Sequence, residues 1–189
     1  KNKNIYKKHK VAILSSNFAL YGDMSQRVMS VLSQSSSALE IYSIDEAFID
    51  LSGIPVKKLL SEIKYLKTTV EQWTGIPVSI GVGITKTLAK VANHVAKRST
   101  GVKILIDSRE VKKSLKNLKV EDIWGVGRRL KKILNSFGIK NALELSNQNE
   151  LWVQKYMTIV GRRLQLELKG IICYQLETNL TNKKQICTS

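Results

Sequence analysis

Acidic residues, cysteines and histidines are scarce in this chain of 189 residues, and each scarcity excludes something. The two cysteines, Cys173 and Cys187, stand near the C-terminus, and His9 and His94 are the only histidines. No zinc set can be assembled from residues so placed. The chain reads as cytoplasmic and reduced. No apolar run is long enough to span a bilayer. The apolar stretch Val11 to Leu14 after the basic N-terminus is too short for a signal-peptide core. No segment carries the basic-amphipathic pattern of a lipid-surface helix. A membrane partner is therefore excluded.

The scarcity of acid has the largest consequence. Lys and Arg number 31 against 15 Asp and Glu, a formal charge of +16. That is the electrostatic footprint of a phosphate-backbone binder. Hydrophobic residues make up 43% of the chain, enough to bury a core. The length suits one ordinary domain or two small ones.

Against this basic background, one stretch places two acids side by side. Leu39 to Gly53 reads L-E-I-Y-S-I-D-E-A-F-I-D-L-S-G. Ile41, Tyr42 and Ile44 precede Asp45 and Glu46, and Phe48, Ile49 and Leu51 follow. These types suit two short strands. Adjacent buried carboxylates need a partner. A divalent cation such as Mg²⁺, with its preference for hard oxygen, is one. An acidic hairpin turn with both carboxylates in water fits the same residues.

The segments around this hairpin predict an α+β arrangement. Val11 to Ser15 has the pattern of a short strand. Gly22 to Ser36 predicts a helix with Asp23 or Ser25 as N-cap and Val28, Met29 and Leu32 facing inward. Ser33 to Ser37 predicts a loop. Ile54-Pro55 opens a long helix with an apolar stripe of Leu59, Leu60, Ile63, Leu66, Val70 and Trp73, ended by Gly75. Ile76 to Ile84 predicts a strand. Val78, Ile80, Val82 and Ile84 form its core face, and Ser79, Gly81 and Gly83 leave the other nearly bare. Glycine there points to close approach by a ligand or by another backbone. Thr87 to Ser99 predicts a helix with Leu88, Val91, Ala92 and Val95 inward, Lys86 at its entrance and Lys90 elsewhere. Lys103 to Asp107 is a further strand. The expected sheet is antiparallel or mixed, with helices on one face and the other free for a ligand. Asp45 and Glu46 are expected on that free face, near Ser79, Gly81 and Gly83.

Beyond Ser108 the strand signals stop. From Lys112 to Lys140 nine basic residues face two acids, Glu121 and Asp122. Within this span V-E-D-I-W-G-V-G-R-R-L-K-K-I-L predicts a short helix, a turn at Gly125-Val126-Gly127, and a second helix beginning at Arg128-Arg129. Such a helix-hairpin-helix aims backbone N–H groups at a phosphate, and Lys131 and Lys132 add charge. A helical hairpin with a merely solvated basic face has the same signature. Glu150 to Gly170 predicts more helix, and Ile171 to Ser189 a polar tail.

Taken together, S-S-N-F-A-L-Y-G-D-M-S-Q-R-V-M-S, E-I-Y-S-I-D-E-A-F-I-D-L-S-G, V-G-I-T-K-T-L-A-K-V-A-N-H-V-A-K and D-I-W-G-V-G-R-R-L-K-K-I-L resemble the Y-family translesion DNA polymerases, most closely their bacterial UmuC branch. The resemblance spans nearly the whole chain in one order. It implies a partial palm over 1–108, a helical thumb over 109–175, and a linker over 176–189 towards a little finger. It implies error-prone, template-directed nucleotidyl transfer in the SOS response to DNA damage, with two Mg²⁺ ions. Asp45 and Glu46 would be catalytic metal ligands. Lys86 would contact the incoming deoxynucleoside triphosphate. Gly125, Val126, Gly127, Arg128, Arg129, Lys131 and Lys132 would grip primer-template DNA. A UmuD-like subunit, a RecA-type filament and a sliding clamp are implied partners.

Three departures qualify the resemblance. The family palm begins with a strand bearing another metal-binding aspartate, followed by fingers, and nothing before Val11 supplies either. The little finger is also missing. The loop before Lys86 is Thr85 alone, shorter than the family's. Asp50 is no substitute for the missing acid, because it lies several residues along the outgoing strand. The expected chain is a fragment, inactive alone. A non-catalytic DNA-binding remnant is the alternative.

Overall fold

Asn17 shows how the first long helix is set. Its side chain accepts a hydrogen bond from the Leu20 N–H at 3.0 Å and caps α2, Phe18–Ser33. The helix therefore begins earlier than the Gly22 boundary suggests. The computed structural model describes residues 3–36 and 38–177. It opens with a short helix α1, Lys3–Lys8. Val11–Ser15 forms no strand and lies exposed, and it pairs with no strand among the described residues. An exposed backbone bonds to water instead of a ladder, and strand patterning alone does not make a strand, so the sequence expectation fails here. Of the expected serine loop, Ser33 belongs to α2 and Ser37 lies outside the described residues.

The acidic hairpin forms as expected. β1, Leu39–Ile41, pairs antiparallel with β2, Ala47–Ile49, in the register Glu40 opposite Phe48. Pro55 precedes α3, Val56–Thr74, and Gly75 ends it in the left-handed region at φ 71°. Leu59, Ile63, Leu66 and Val70 are buried, but Leu60 and Trp73 are exposed. The stripe is narrower than expected, since only one side of α3 meets the sheet.

β3, Ile80–Gly83, runs parallel to β4, Val102–Leu105, through α4, Lys86–Ala96. Ile80 and Val82 pack towards Leu59 and Ile63 of α3, whereas Ile84 is exposed. The glycine face is not open. A Cβ on Gly81 would stand 2.0 Å from the Asn93 backbone N, and one on Gly83 2.5 Å from that of Ala89. The glycines are small because α4 lies directly on them, which is the close backbone approach rather than the ligand approach. Two strand pairs result, and no ladder joins β2 to β3.

The second half is helical: α5 (Ser108–Asn117), a single 3₁₀ turn at Val120–Asp122 where a short helix is expected, α6 (Arg128–Ser136), α7 (Ala142–Ser146) and α8 (Glu150–Leu168). One apolar core runs through Leu115, Val120, Leu134, Leu145, Val153 and Leu168 and continues into Leu88, Val91 and Leu105. α4 and β4 thus share their interior with the helical half. Residues 171–177 have no regular structure, and the rest of the tail lies outside the described residues.

Candidate nucleic-acid and metal site

The hairpin turn presents the acid pair. Tyr42 and Ser43 both donate backbone N–H groups to the Glu46 carbonyl at 3.0 Å, closing the turn around Asp45. The exposed Asp45 accepts from the Ser43 hydroxyl at 2.7 Å. Glu46 pairs with Lys90 at 2.7 Å. Both acids line one groove with Ser79 and Gly81, while Gly83 is not among its lining residues.

Lys90 is the residue that sequence reading misses. Its ammonium stands 4.7 Å from the Tyr42 ring, 5.3 Å from Phe48 and 5.7 Å from Trp124, and its side chain is 15% exposed. Such a cage favours a cation. The available signal was its spacing: Lys90 follows Lys86 by one helical turn, so both reach the hairpin from the same side of α4.

Lys86 reaches the hairpin but turns to Glu40, forming an ion pair in which both side chains are 10% exposed. The same Glu40 oxygen accepts from the Glu177 N–H at 2.7 Å. Lys86 also stands 5.2 Å from the Phe48 ring. The lysine expected to meet a triphosphate is thus engaged within the protein. Asp50 turns away and accepts from the Ser52 N–H at 2.8 Å, which holds its carboxyl below the ordinary value.

As a metal donor set these residues are of the right type and too few. Asp45 and Glu46 offer hard oxygens. Among the described residues no group of three or more His, Cys, Asp or Glu could hold an ion. Glu46 already has a cationic partner. The chain's own described residues do not complete a metal site.

The turn before α6 has the geometry of an anion seat. The Val126 N–H donates to the Ile123 carbonyl at 3.0 Å, and Gly125 adopts φ 85°, which turns the chain sharply. Val126 is buried and anchors the turn. Gly127 caps α6 with no side-chain hydrogen bond, so the first N–H groups of that helix face outward. Gly125, Gly127, Arg128, Arg129 and Lys132 are exposed around them. Lys131 is half-buried and pairs with Glu121 at 3.1 Å. The aromatic cluster of Tyr42, Phe48, Trp124 and Tyr174 joins this hairpin to the acidic one, and the Trp124 indole N–H donates to the Tyr42 hydroxyl at 3.1 Å. The two sequence-identified regions therefore meet.

Family models match two stretches of the chain. Residues 2–94 match the impB/mucB/samB family, and residues 108–139 match the IMS family HHH motif. The chain is 41% identical to Protein UmuC of Salmonella typhimurium, covering all of this chain and 46% of that protein. It is 39% identical to Protein MucB of Escherichia coli, covering 98% and 45%. It is 36% identical to DNA polymerase IV of Picrophilus torridus, covering 91% and 46%. The fold superposes on DinB from Sulfolobus solfataricus with a TM-score of 0.75 at 24% identity, over 93% of this chain and 52% of that one. An insertion ternary complex of Dbh DNA polymerase gives 0.72 at 23% identity, over 87% and 50%. The chain spans about half the length of the curated relatives it matches, and it belongs to the impB/mucB/samB family.

Proposed function

We propose that this chain is the palm-and-thumb portion of an error-prone translesion polymerase, and that its own activity is to hold primer-template DNA by the phosphate backbone. The uncapped start of α6, ringed by Gly125, Gly127, Arg128, Arg129 and Lys132, carries this reading. A phosphate there meets helix N–H groups, the helix dipole and arginine charge together. Lys131 contributes less, since Glu121 already holds it. The name DNA polymerase IV among the relatives supports DNA as the substrate class.

In this reading Asp45 and Glu46 form one side of a divalent-metal site for Mg²⁺, and the incoming deoxynucleoside triphosphate lies near Lys86 and Lys90. When bound, the two ions would activate the primer hydroxyl and neutralise the triphosphate. The residues described here supply orientation and charge but not the full ligand set. A UmuD-like subunit, a RecA-type filament and a sliding clamp belong to the whole protein's reaction. The second reading, DNA binding without catalysis, is favoured for the isolated chain by the incomplete donor set.

The test is fluorescence anisotropy of labelled primed duplex across a salt series. Binding should be independent of sequence and weaken steeply with salt. Arg128→Ala with Arg129→Ala should reduce the slope of log affinity against log salt by about one to two, at roughly 0.9 per phosphate contact. An unchanged slope would remove the hairpin from the interface.

A further inference from the structure

Helix α8 is broken at Thr158, and a cavity lies against the break. Thr158 has φ 64° and ψ −172°, a conformation that belongs almost entirely to glycine. A β-branched residue held there is strained, and such strain persists only where the surroundings impose it. Gly161 follows so closely on the preceding turn that a Cβ would stand 2.1 Å from that of Met157. Thr158 lines a cavity of about 520 Å³ between α8 and the turn before α6. That size is within the range of small-ligand sites, roughly 300–1,000 Å³. Tyr42, Trp124, Tyr156 and Tyr174 line it, with Leu130 and Leu164 among them. The Tyr42 and Tyr174 rings each meet Trp124 edge-on, with centroids 5.6 and 5.9 Å away. The Tyr42 hydroxyl accepts from the Trp124 indole at 3.1 Å, which leaves its own proton to donate. Gly125 and Arg129 complete the wall, and both also surround the start of α6.

We propose that this cavity is a nucleobase subsite, taking the base of a nucleotide whose phosphate sits at the start of α6. The inference rests on the DNA-binding reading and adds to it a place for one base turned out of the stack. Chemistry selects the ligand. Aromatic walls offer their faces and edges to a flat ring, and such stacking tolerates any base. The Tyr42 hydroxyl can donate to an acceptor on the base edge. Arg129 sets positive charge on the same wall, so a base and its own phosphate meet complementary groups together. An apolar ligand without phosphate would leave both polar groups without a partner. Thr158 keeps α8 bent, so the cavity stands open before the base arrives. The same contacts serve a nucleotide turned out of a bound strand and a free nucleoside monophosphate.

The test is fluorescence anisotropy of the full chain with labelled duplexes that are fully paired, carry one bulged adenosine, or carry an abasic residue in the bulge. The adenosine bulge should bind at least about fivefold more tightly than either other duplex, from the stacking of one base. Tyr156→Leu keeps the apolar volume and removes a ring. It should bring the adenosine bulge down towards the abasic one and leave paired-duplex affinity unchanged. Excess deoxyadenosine monophosphate that erases the preference would place the free nucleotide in the cavity, and a preference that survives it would assign the cavity to the strand. Equal affinity for the adenosine and abasic bulges would overturn the proposal, because bending alone would then explain any gain. A preference unchanged in Tyr156→Leu would overturn it too. Should no duplex bind, this inference and the DNA-binding reading fall together. Should the paired duplex bind, weaken in Arg128→Ala with Arg129→Ala, and yet match the adenosine bulge in affinity, only this inference falls.

Discussion

The carboxylate of Glu167 accepts the Thr87 backbone N–H at 2.9 Å, tying the end of α8 to the first turn of α4. The same side chain accepts the Cys173 and Tyr174 N–H groups at 2.9 and 3.1 Å. Its backbone carbonyl receives the Thr85 hydroxyl at 2.9 Å. Glu167 is fully buried, so these donors have no water to replace it. One residue thus holds α4, α8 and the start of the tail in one arrangement. Glu167→Ala should cost about 3 kcal/mol or more, because it strands N–H groups that bond a charged acceptor. Urea denaturation measures this. A cost below about 1 kcal/mol would show that the junction relaxes.

The glycines divide by what surrounds them. Gly81→Ala drives a Cβ into the Asn93 and Ala89 backbone of α4, and backbone cannot swing aside. It should cost about 3 kcal/mol or more, or prevent folding. Gly125 has open space, but its φ of 85° disfavours a side chain, so Gly125→Ala should cost only about 1–2 kcal/mol. Thermal melts of both variants check the order. Equal costs would contradict the close contact of α4 with β3.

His94 gives the stability a pH dependence near neutrality. Burial lowers its pKa below the ordinary 6.5, and the nearby Arg98 and Lys97 charges act the same way against the opposing pull of Asp122 at 3.9 Å. The folded state then binds its proton less readily than the unfolded state. Stability is full above about 6.5 and declines as pH falls from there through the folded pKa. Denaturation midpoints at pH 7.5 and near pH 5.5 should differ, and His94→Gln should flatten that difference. An equal slope in both proteins would place the effect on other groups.

Much of the site was legible from local pattern. The acid pair with its flanking β residues, the Pro55 and Gly75 ends of α3, and the Gly125–Gly127 turn all depend on nearest neighbours, which the sequence displays directly. What stayed hidden depends on distant ones. Lys90 becomes a partner of Glu46 only when α4 crosses the hairpin. Glu167 reads as one more polar helix residue until α4 meets its carboxylate. Ser79, Gly81 and Gly83 signal close approach, but alternation alone does not say whether a ligand or a helix makes it, and here α4 does. Val11–Ser15 has strand pattern but pairs with no strand among the described residues, and pairing rather than propensity decides such a segment.

In the proposed function, this chain grips primed DNA with half of a polymerase site. The most direct measurement is primer extension by the 189-residue chain with Mg²⁺ and all four deoxynucleotides, at saturating primed duplex, beside Asp45→Ala. Asp45 and Glu46 lie on one hairpin, and no third acid joins them among the described residues. A missing ligand set removes several kcal/mol of transition-state stabilisation, at about tenfold in rate for each 1.36 kcal/mol. The expected result is DNA binding by both proteins and no extended primer from either. Extension by the unaltered chain that Asp45→Ala abolishes would contradict the claim and show that another acid completes the site.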